Sequence, residues 1–251
     1  MKGAIAVFLD LIENYARSDN PPDVGLLLSA NYGGLTSEDL FLNPRFVIAG
    51  EPTNLDVAVK EKGLLRFRVA EKGVSAHSAT PYRGVNAIEL LYTKLSGLRR
   101  KYDKANMGNF WLPTFNWGLC RAGDAPNRVP DHAEAEIEIR YTENESREDI
   151  INTIEGLFPE YEITFDGPMI RTGPNQHVET LEEQRKNVTG TSSKNDYSIS
   201  YSNCSSYLRD FTPIAIFGPK GENPHGPDEW VDINSLFTYR EILRRFIESY
   251  R

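Results

Sequence analysis

Two residues of metal-ligating type stand where chemistry is usually done. Glu51 follows the apolar run Arg45-Phe46-Val47-Ile48-Ala49-Gly50, and His225 follows Pro213-Ile214-Ala215-Ile216-Phe217-Gly218 after a short loop. Both runs read as buried strands, and in an open α/β sheet the loops leaving the carboxyl ends of parallel strands gather on one edge. A carboxylate and an imidazole brought together there supply half the donors of a metal site. Each residue also has an ordinary explanation, because a glutamate after a strand is commonly a solvated loop residue and a histidine beside proline a surface turn.

The elements that must position them alternate between helix and strand. The spacing predicts a helix over 2–17, where Ile5, Phe8, Leu9 and Ile12 fall in helical register, then strands over 24–29 and 45–49. From Leu64 the pattern changes to strand (64–70), helix (85–102), strand (about 114–120), strand (131–140), helix (147–158) and strand (161–165). That β-α-β-β-α-β order is the order of ferredoxin-like sandwiches. Ile88, Leu91, Leu95, Leu98 and Tyr102 form one helical stripe, and Ala133, Ala135, Ile137 and Ile139 alternate with Glu134, Glu136 and Glu138, so one sheet face is solvated or opposes a partner. Ser146 can cap the second helix, which carries Ile150, Ile151, Ile154 and Leu157. After Gly173 the α/β character returns: a helix over 178–188, a polar loop at 189–206, a strand over 213–217 and a last helix with Leu236, Tyr239, Leu243, Phe246 and Tyr250 in register. The expected fold class is α/β, a catalytic-type domain (1–63 and 174–251) interrupted by a ferredoxin-like α+β lid (64–173).

Composition narrows the partners. With 36 acidic against 28 basic residues the chain has a net charge of −8, which leaves no sequence-wide footprint for nucleic acid or an anionic membrane. Cys120 and Cys204 are too few for a disulfide framework, which suits a reducing compartment, and the expected location is cytoplasmic. The apolar residues after Lys2 are interrupted by Asp10 and Glu13, and no apolar run approaches the ~20 residues needed to span a bilayer.

Six motifs occur in order: Gly50-Glu51-Pro52-Thr53-Asn54, Lys62-Gly63, Ala76-His77-Ser78-Ala79-Thr80-Pro81, Gly84-Val85-Asn86-Ala87-Ile88, Asn127-Arg128-Val129-Pro130 and His225-Gly226-Pro227-Asp228-Glu229. Together they resemble the zinc-dependent deacylase and peptidase family of acetylornithine deacetylase, succinyl-diaminopimelate desuccinylase, aminoacylase and glutamate carboxypeptidase. The resemblance implies an α/β domain interrupted by a lid that dimerises, and a zinc-activated water attacking an amide while a glutamate moves the proton. It implies that Glu51 and His225 are ligands of two different zinc ions. It further implies that His77 reaches the partner subunit's site and polarises the scissile carbonyl, and that Asn127 and Arg140 hold the substrate carboxylate. Residue by residue, Arg140 could equally pair with the glutamates of its own sheet face. The Ser192-Ser193-Lys194-Asn195-Asp196 stretch reads either as a loop near substrate or as an ordinary polar loop, and His132 and His177 read as structural or exposed.

Departures from the family pattern carry as much as the matches. The family's first histidine ligand and its bridging aspartate would lie upstream of Met1-Lys2-Gly3, so the expectation is an N-terminally short chain. The family also carries two adjacent glutamates after the second strand, a general base and a zinc ligand, where Leu26-Leu27-Leu28-Ser29-Ala30-Asn31-Tyr32-Gly33-Gly34 has neither carboxylate. Lys220 follows Gly218-Pro219 where glycine is usual, and its ammonium would oppose a second cation. The expected function is that of a deacylase-family protein related to N-acyl-amino-acid hydrolases with impaired or lost activity. The alternative is a non-catalytic binding or regulatory homologue that keeps the lid dimer and a carboxylate pocket. The ligand expected in either case is a small N-acyl amino acid or dipeptide-like molecule.

Overall fold

The computed structural model describes residues 2–28, 44–106, 108–198, 202, 212–224 and 226–250. The chain divides into two compact units, Met1–Glu61 with Ile170–Arg251, and Lys62–Met169. In the first unit helix α1 (Lys2–Ala16) precedes strand β1 (Val47–Ala49) and the short strand β2 (Lys60–Glu61). Its second half holds β7 (Ile170–Arg171), α4 (Gln176–Thr189), β8 (Tyr197–Ser198), β9 (Ile214–Ile216), the hairpin β10 (Gly221–Glu222) and β11 (Trp230–Val231), and α5 (Ile233–Glu248). The middle unit contains β3 (Gly63–Lys72), α2 (Ala87–Tyr102), β4 (Thr114–Ala122), β5 (His132–Tyr141), α3 (Arg147–Leu157) and β6 (Glu160–Gly167).

In the first unit β1 and β9 pair in parallel, Val47 opposite Ile214 and Ala49 opposite Ile216. The two runs that suggested a shared sheet edge are therefore neighbours with their carboxyl ends on the same side. Strands β7, β2 and β8 form a second small sheet. The helices bury Leu11, Leu181, Tyr239, Ile242 and Leu243 against Ala215 and Phe217. Tyr239 is wholly buried, and its hydroxyl donates to the Phe217 carbonyl at 2.9 Å, which satisfies the one polar atom such a residue brings inside. Helix α1 forms where expected, but the stripe it buries is Ala4, Val7, Leu11 and Tyr15. Leu9 points out to solvent because the α5 contact is rotated from the face that apolar residues alone suggested. The expected strand over 24–29 is absent across 24–28, where no strand pairs with the backbone and Leu27 and Leu28 are exposed; Ser29 lies outside the described residues.

The middle unit is the expected sandwich, a sheet in the order β4-β5-β3-β6 with α2 and α3 on one face. Its long central pair runs antiparallel from Gly63 opposite Tyr141 to Lys72 opposite His132. The alternation on β5 works as read: Ala133, Ala135, Ile137 and Ile139 are buried under Leu91, Leu95, Leu98, Ile150 and Ile154. Asn86 caps α2 by accepting from the Ile88 amide, and Ser146 caps α3 by accepting from the Asp149 amide. Ile88 departs from the predicted stripe, since it is 42% exposed beside exposed Val85 and Tyr92. The opposite sheet face is polar, with Arg66, Arg68 and Lys72 on β3 facing Glu138, Glu136, Glu162 and Glu160 across the strands.

Leu95 is 1% exposed at the centre of this core. Leu95→Ala is expected to cost about 2–5 kcal/mol of stability, the lost burial plus the cavity left behind, as measured by denaturant unfolding.

Candidate functional site

In the first unit the loop after β1 is pressed onto the loop after β9. A Cβ on Gly218 would lie 2.0 Å from the Glu51 carbonyl oxygen, so this approach needs glycine. Thr53 Oγ1 accepts from the Gly218 amide at 3.1 Å and donates to the Asp56 carbonyl at 2.6 Å, while the Leu55 amide donates to the Gly218 carbonyl at 3.0 Å. Holding that turn puts Asn54 and Leu55 at φ of 57° and 66°, the left-handed region that a leucine rarely enters. Glu51 is thus fixed at the carboxyl end of the parallel pair, half-buried. His225 lies outside the described residues, as do Ser29 to Gly34 of the segment lacking the glutamate pair.

A metal centre requires more than Glu51. Among the described residues no three His, Cys, Asp or Glu side chains gather to hold an ion, whereas catalytic zinc takes three protein ligands. Of the two ligands that the family resemblance implies, Glu51 is the one that the described residues hold. His132 stands exposed at the start of β5. His177 lies half-buried on α4, stacked on Phe46 with ring centres 5.3 Å apart, its Nδ1 2.7 Å from the Tyr250 hydroxyl.

The 193–196 stretch is an anchored loop. Ser193 Oγ donates to Glu182 at 2.6 Å and accepts from the Val57 amide at 2.8 Å, and Asp196 pairs with Lys60 at 2.7 Å. Asp56 lies behind it, accepting from the Lys194 amide at 3.1 Å, from Asn195 Nδ2 at 3.1 Å and from Arg185 at 3.2 Å. The Arg185 guanidinium also donates to the Leu55 and Thr191 carbonyls. Sequence reasoning missed this pair; its trace was an arginine inside a helix whose other buried residue is Leu181. The network seats the loop beside the Glu51 turn.

The expected lid residues separate into two places. His77 and Asn127 lie on adjoining exposed loops, with His77 bridged to Arg128 and the Ser78 amide donating to the Asn127 carbonyl at 3.0 Å. His77 Nδ1 accepts from the Ala79 amide at 3.1 Å, which leaves the neutral ring with its proton on Nε2, free to donate outward. The Arg128 guanidinium ties the two loops, reaching Asp124 at 2.7 Å, Asp131 at 2.6 Å and Ser75 at 2.7 Å. Ser75 chiefly, with Arg128, holds the Asp131 carboxyl below its ordinary value.

Arg140 stands at the other end of the sheet, opposite Leu64, whereas the His77 loop leaves from Lys72. Eight strand residues separate those ends, about 26 Å at ~3.3 Å per residue. Asn127 and Arg140 of one lid therefore do not meet. Arg140 Nε donates to Glu138 at 3.0 Å, and Glu138 is shared with Arg66 at 2.9 Å. Next to Arg140 lies Lys62, 9% exposed, whose Nζ donates to the Leu112 carbonyl. Burial first and the Arg140 charge second lower the Lys62 pKa to about 8, with Glu145 partly opposing.

Against this geometry, residues 59–164 match the peptidase dimerisation domain of the M20 type. The middle of the chain thus matches an M20 dimerisation domain, and the chain as a whole is similar to deacylases. Its relatives include acetylornithine deacetylase of Proteus mirabilis, 26% identical over all of this chain and 69% of that protein. Another is succinyl-diaminopimelate desuccinylase of Gluconacetobacter diazotrophicus, 26% identical over 99% of this chain and 70% of that protein. Among solved structures, a tripeptidase from Staphylococcus aureus superposes with a TM-score of 0.75 at 20% identity, covering 99% of this chain and 70% of that one. An M20 family metallo-carboxypeptidase from Sulfolobus solfataricus superposes with a TM-score of 0.67 at 17% identity over 85% of this chain and 65% of that one. These likenesses establish the fold.

Two outcomes follow from the buried charges. Arg185→Met leaves Asp56 without its cation in a buried setting and is expected to destabilise the protein by about 3–5 kcal/mol in denaturant unfolding. For Lys62 the folded value of about 8 lies below the unfolded 10.5, so the folded state sheds its proton first and stability rises between those two pH values. Lys62→Met should remove that rise and unfold at higher denaturant than the parent at pH 7, read from midpoints across pH.

Proposed function

We propose that this chain is a deacylase-family protein, related to hydrolases of N-acyl amino acids, whose own hydrolytic activity is impaired or lost. The observation that carries this reading is the Leu26–Gly34 segment, which has no carboxylate where the family resemblance calls for a general base and a zinc ligand side by side. General acid–base help is worth roughly 10²–10⁴ in rate, and no other carboxylate joins Glu51 in a ligand cluster among the described residues. What such a chain retains is recognition: a cytoplasmic protein that binds a small N-acyl amino acid or dipeptide-like ligand through its carboxylate, with zinc as a family inheritance.

Association into a homodimer through the lid belongs to the same reading. Strand β4 is the outer strand of its sheet and exposes Trp117 and Leu119, and α2, which packs over β4, adds exposed Ile88 and Tyr92. An edge strand with this much apolar surface is a template for pairing. A two-fold pairing also suits the division of the lid residues, since His77 and Asn127 of one copy can serve the site whose Arg140 comes from the other. No helix among the described residues is long and apolar enough to cross a membrane.

The purified full chain is expected to hold less than one zinc per chain by elemental analysis. It should hydrolyse N-acetyl-L-ornithine and N-succinyl-L,L-diaminopimelate at least about 100-fold more slowly than an intact family enzyme. Stoichiometric zinc with chelator-sensitive turnover at an ordinary enzymatic rate would overturn the reading.

A further inference from the structure

At the Lys72 end of the middle unit's sheet two exposed loops form a short antiparallel ribbon. His77 opposes Arg128, and the flanking bonds run from the Ser78 amide to the Asn127 carbonyl at 3.0 Å and from the Val129 amide to the Ala76 carbonyl at 2.8 Å. That pattern makes His77 and Arg128 a non-hydrogen-bonded pair, the kind whose side chains stand closest and on one face of the ribbon. Ser75, two residues before His77, shares that face and meets the Arg128 guanidinium there.

The two halves of the 124–131 loop are held by different means. Val129 to Asp131 are fixed through the backbone, since the Ala87 amide donates to the Pro130 carbonyl at 2.9 Å and the Gly73 amide to the Asp131 carbonyl at 2.8 Å, beside the Val129 bond to Ala76. Asp124 to Asn127 have, among the described residues, one backbone bond out of their own turn, the one from the Ser78 amide. The Arg128 side chain joins this half to the fixed half. Its Nη1 donates to Asp124 at 2.7 Å, its Nη2 to Asp131 at 2.6 Å and to Ser75 at 2.7 Å, and its Nε to Ser75 at 3.0 Å. Ser75 Oγ in turn donates to Asp131 at 2.5 Å. An exposed ion pair alone is worth little, but a planar fork that engages two carboxylates and a hydroxyl at once fixes a geometry.

His77 depends on the half that the fork holds. Its Nδ1 accepts from the Ala79 amide at 3.1 Å and its carbonyl from the Thr80 amide at 2.8 Å, and Ser78, inside that turn, is tied to Asn127. We propose that Arg128 is the positioning residue of His77: by carrying the Asp124–Asn127 half-loop to the Asp131–Ser75 anchor, its guanidinium keeps the turn closed, the Nδ1 acceptor occupied and the Nε2 proton directed outward. The inference rests on His77 and Asn127 as the ligand-facing residues of the proposed function and adds the residue that presents the two together. Without the fork the Ser78 amide loses its acceptor, the turn frays and the neutral imidazole samples both tautomers.

The test is long-range ¹H–¹⁵N NMR of the histidine rings in the full chain at about pH 8, where an ordinary imidazole is neutral, with the His77 signals assigned from His77→Gln. In the parent the two ring nitrogens should resonate at opposite extremes, Nδ1 bare and Nε2 protonated. Arg128→Met should draw them towards each other and speed hydrogen exchange of the Ser78 amide by at least about tenfold. Arg128→Lys, which keeps the charge without the fork, should do the same, whereas Arg121→Met, which removes an exposed arginine paired to Glu134 on the sheet, should change neither. Should Arg128→Met not fold, Asp124→Ala takes its place with the same expectation, because it severs the arm that holds the half-loop. Ring nitrogens and a Ser78 amide that stay as in the parent overturn the positioning role, and a lysine variant that behaves as the parent overturns the part given to the fork. N-acetyl-L-ornithine is a separate probe: ring signals that respond to Arg128→Met but not to this compound leave the positioning role standing and overturn the N-acyl-amino-acid reading instead.

Discussion

The pairing of β3 with β5 is the constraint on which the placement of the middle unit's polar residues depends. Its register sets Gly63 against Tyr141 and Lys72 against His132, and a one-residue slip would exchange the buried and polar faces of both strands. The register is held at its start by Gly63, where a Cβ would lie 2.1 Å from the Tyr141 ring. Because the pair is long, His77 and Asn127 stand at one end of the middle unit's sheet and Arg140 at the other.

The two units manage buried charge differently. In the first, Asp56 and Arg185 are both nearly inaccessible, and each is surrounded by further donors or carbonyls. Such a pair contributes through geometry more than through attraction, since desolvation cancels much of the Coulomb gain. It fixes the 193–196 loop and the Glu51 turn in place. In the middle unit, charges lie on a sheet face where exposed pairs are worth little each, and Lys62 is buried with no carboxylate within 4 Å among the described residues.

The likeness to the deacylases is a likeness of scaffold. The parallel pair that presents Glu51 and the anchored turn at Gly218 belong to that scaffold, and the Leu26–Gly34 segment carries no carboxylate. Scaffold and catalysis are separable because packing depends on apolar periodicity and glycine contacts, whereas catalysis depends on a handful of polar side chains.

The amino-acid sequence by itself determined the lid. Period-2 alternation on β5, the Leu91-Leu95-Leu98 stripe and the serine and asparagine caps are local signals, and the order of elements follows from them. Motif order also carried the resemblance to the deacylases, and residue type alone showed that Leu26–Gly34 holds no carboxylate. Tertiary structure alone decided which face of α1 is buried, that 24–28 pairs with no strand, and that Ile88 turns outward, because each depends on what packs against the element. It alone separated Arg140 from Asn127 and set Arg128 opposite His77. Those relations are set by cross-strand register, which joins residues tens of positions apart and leaves no local trace in either strand.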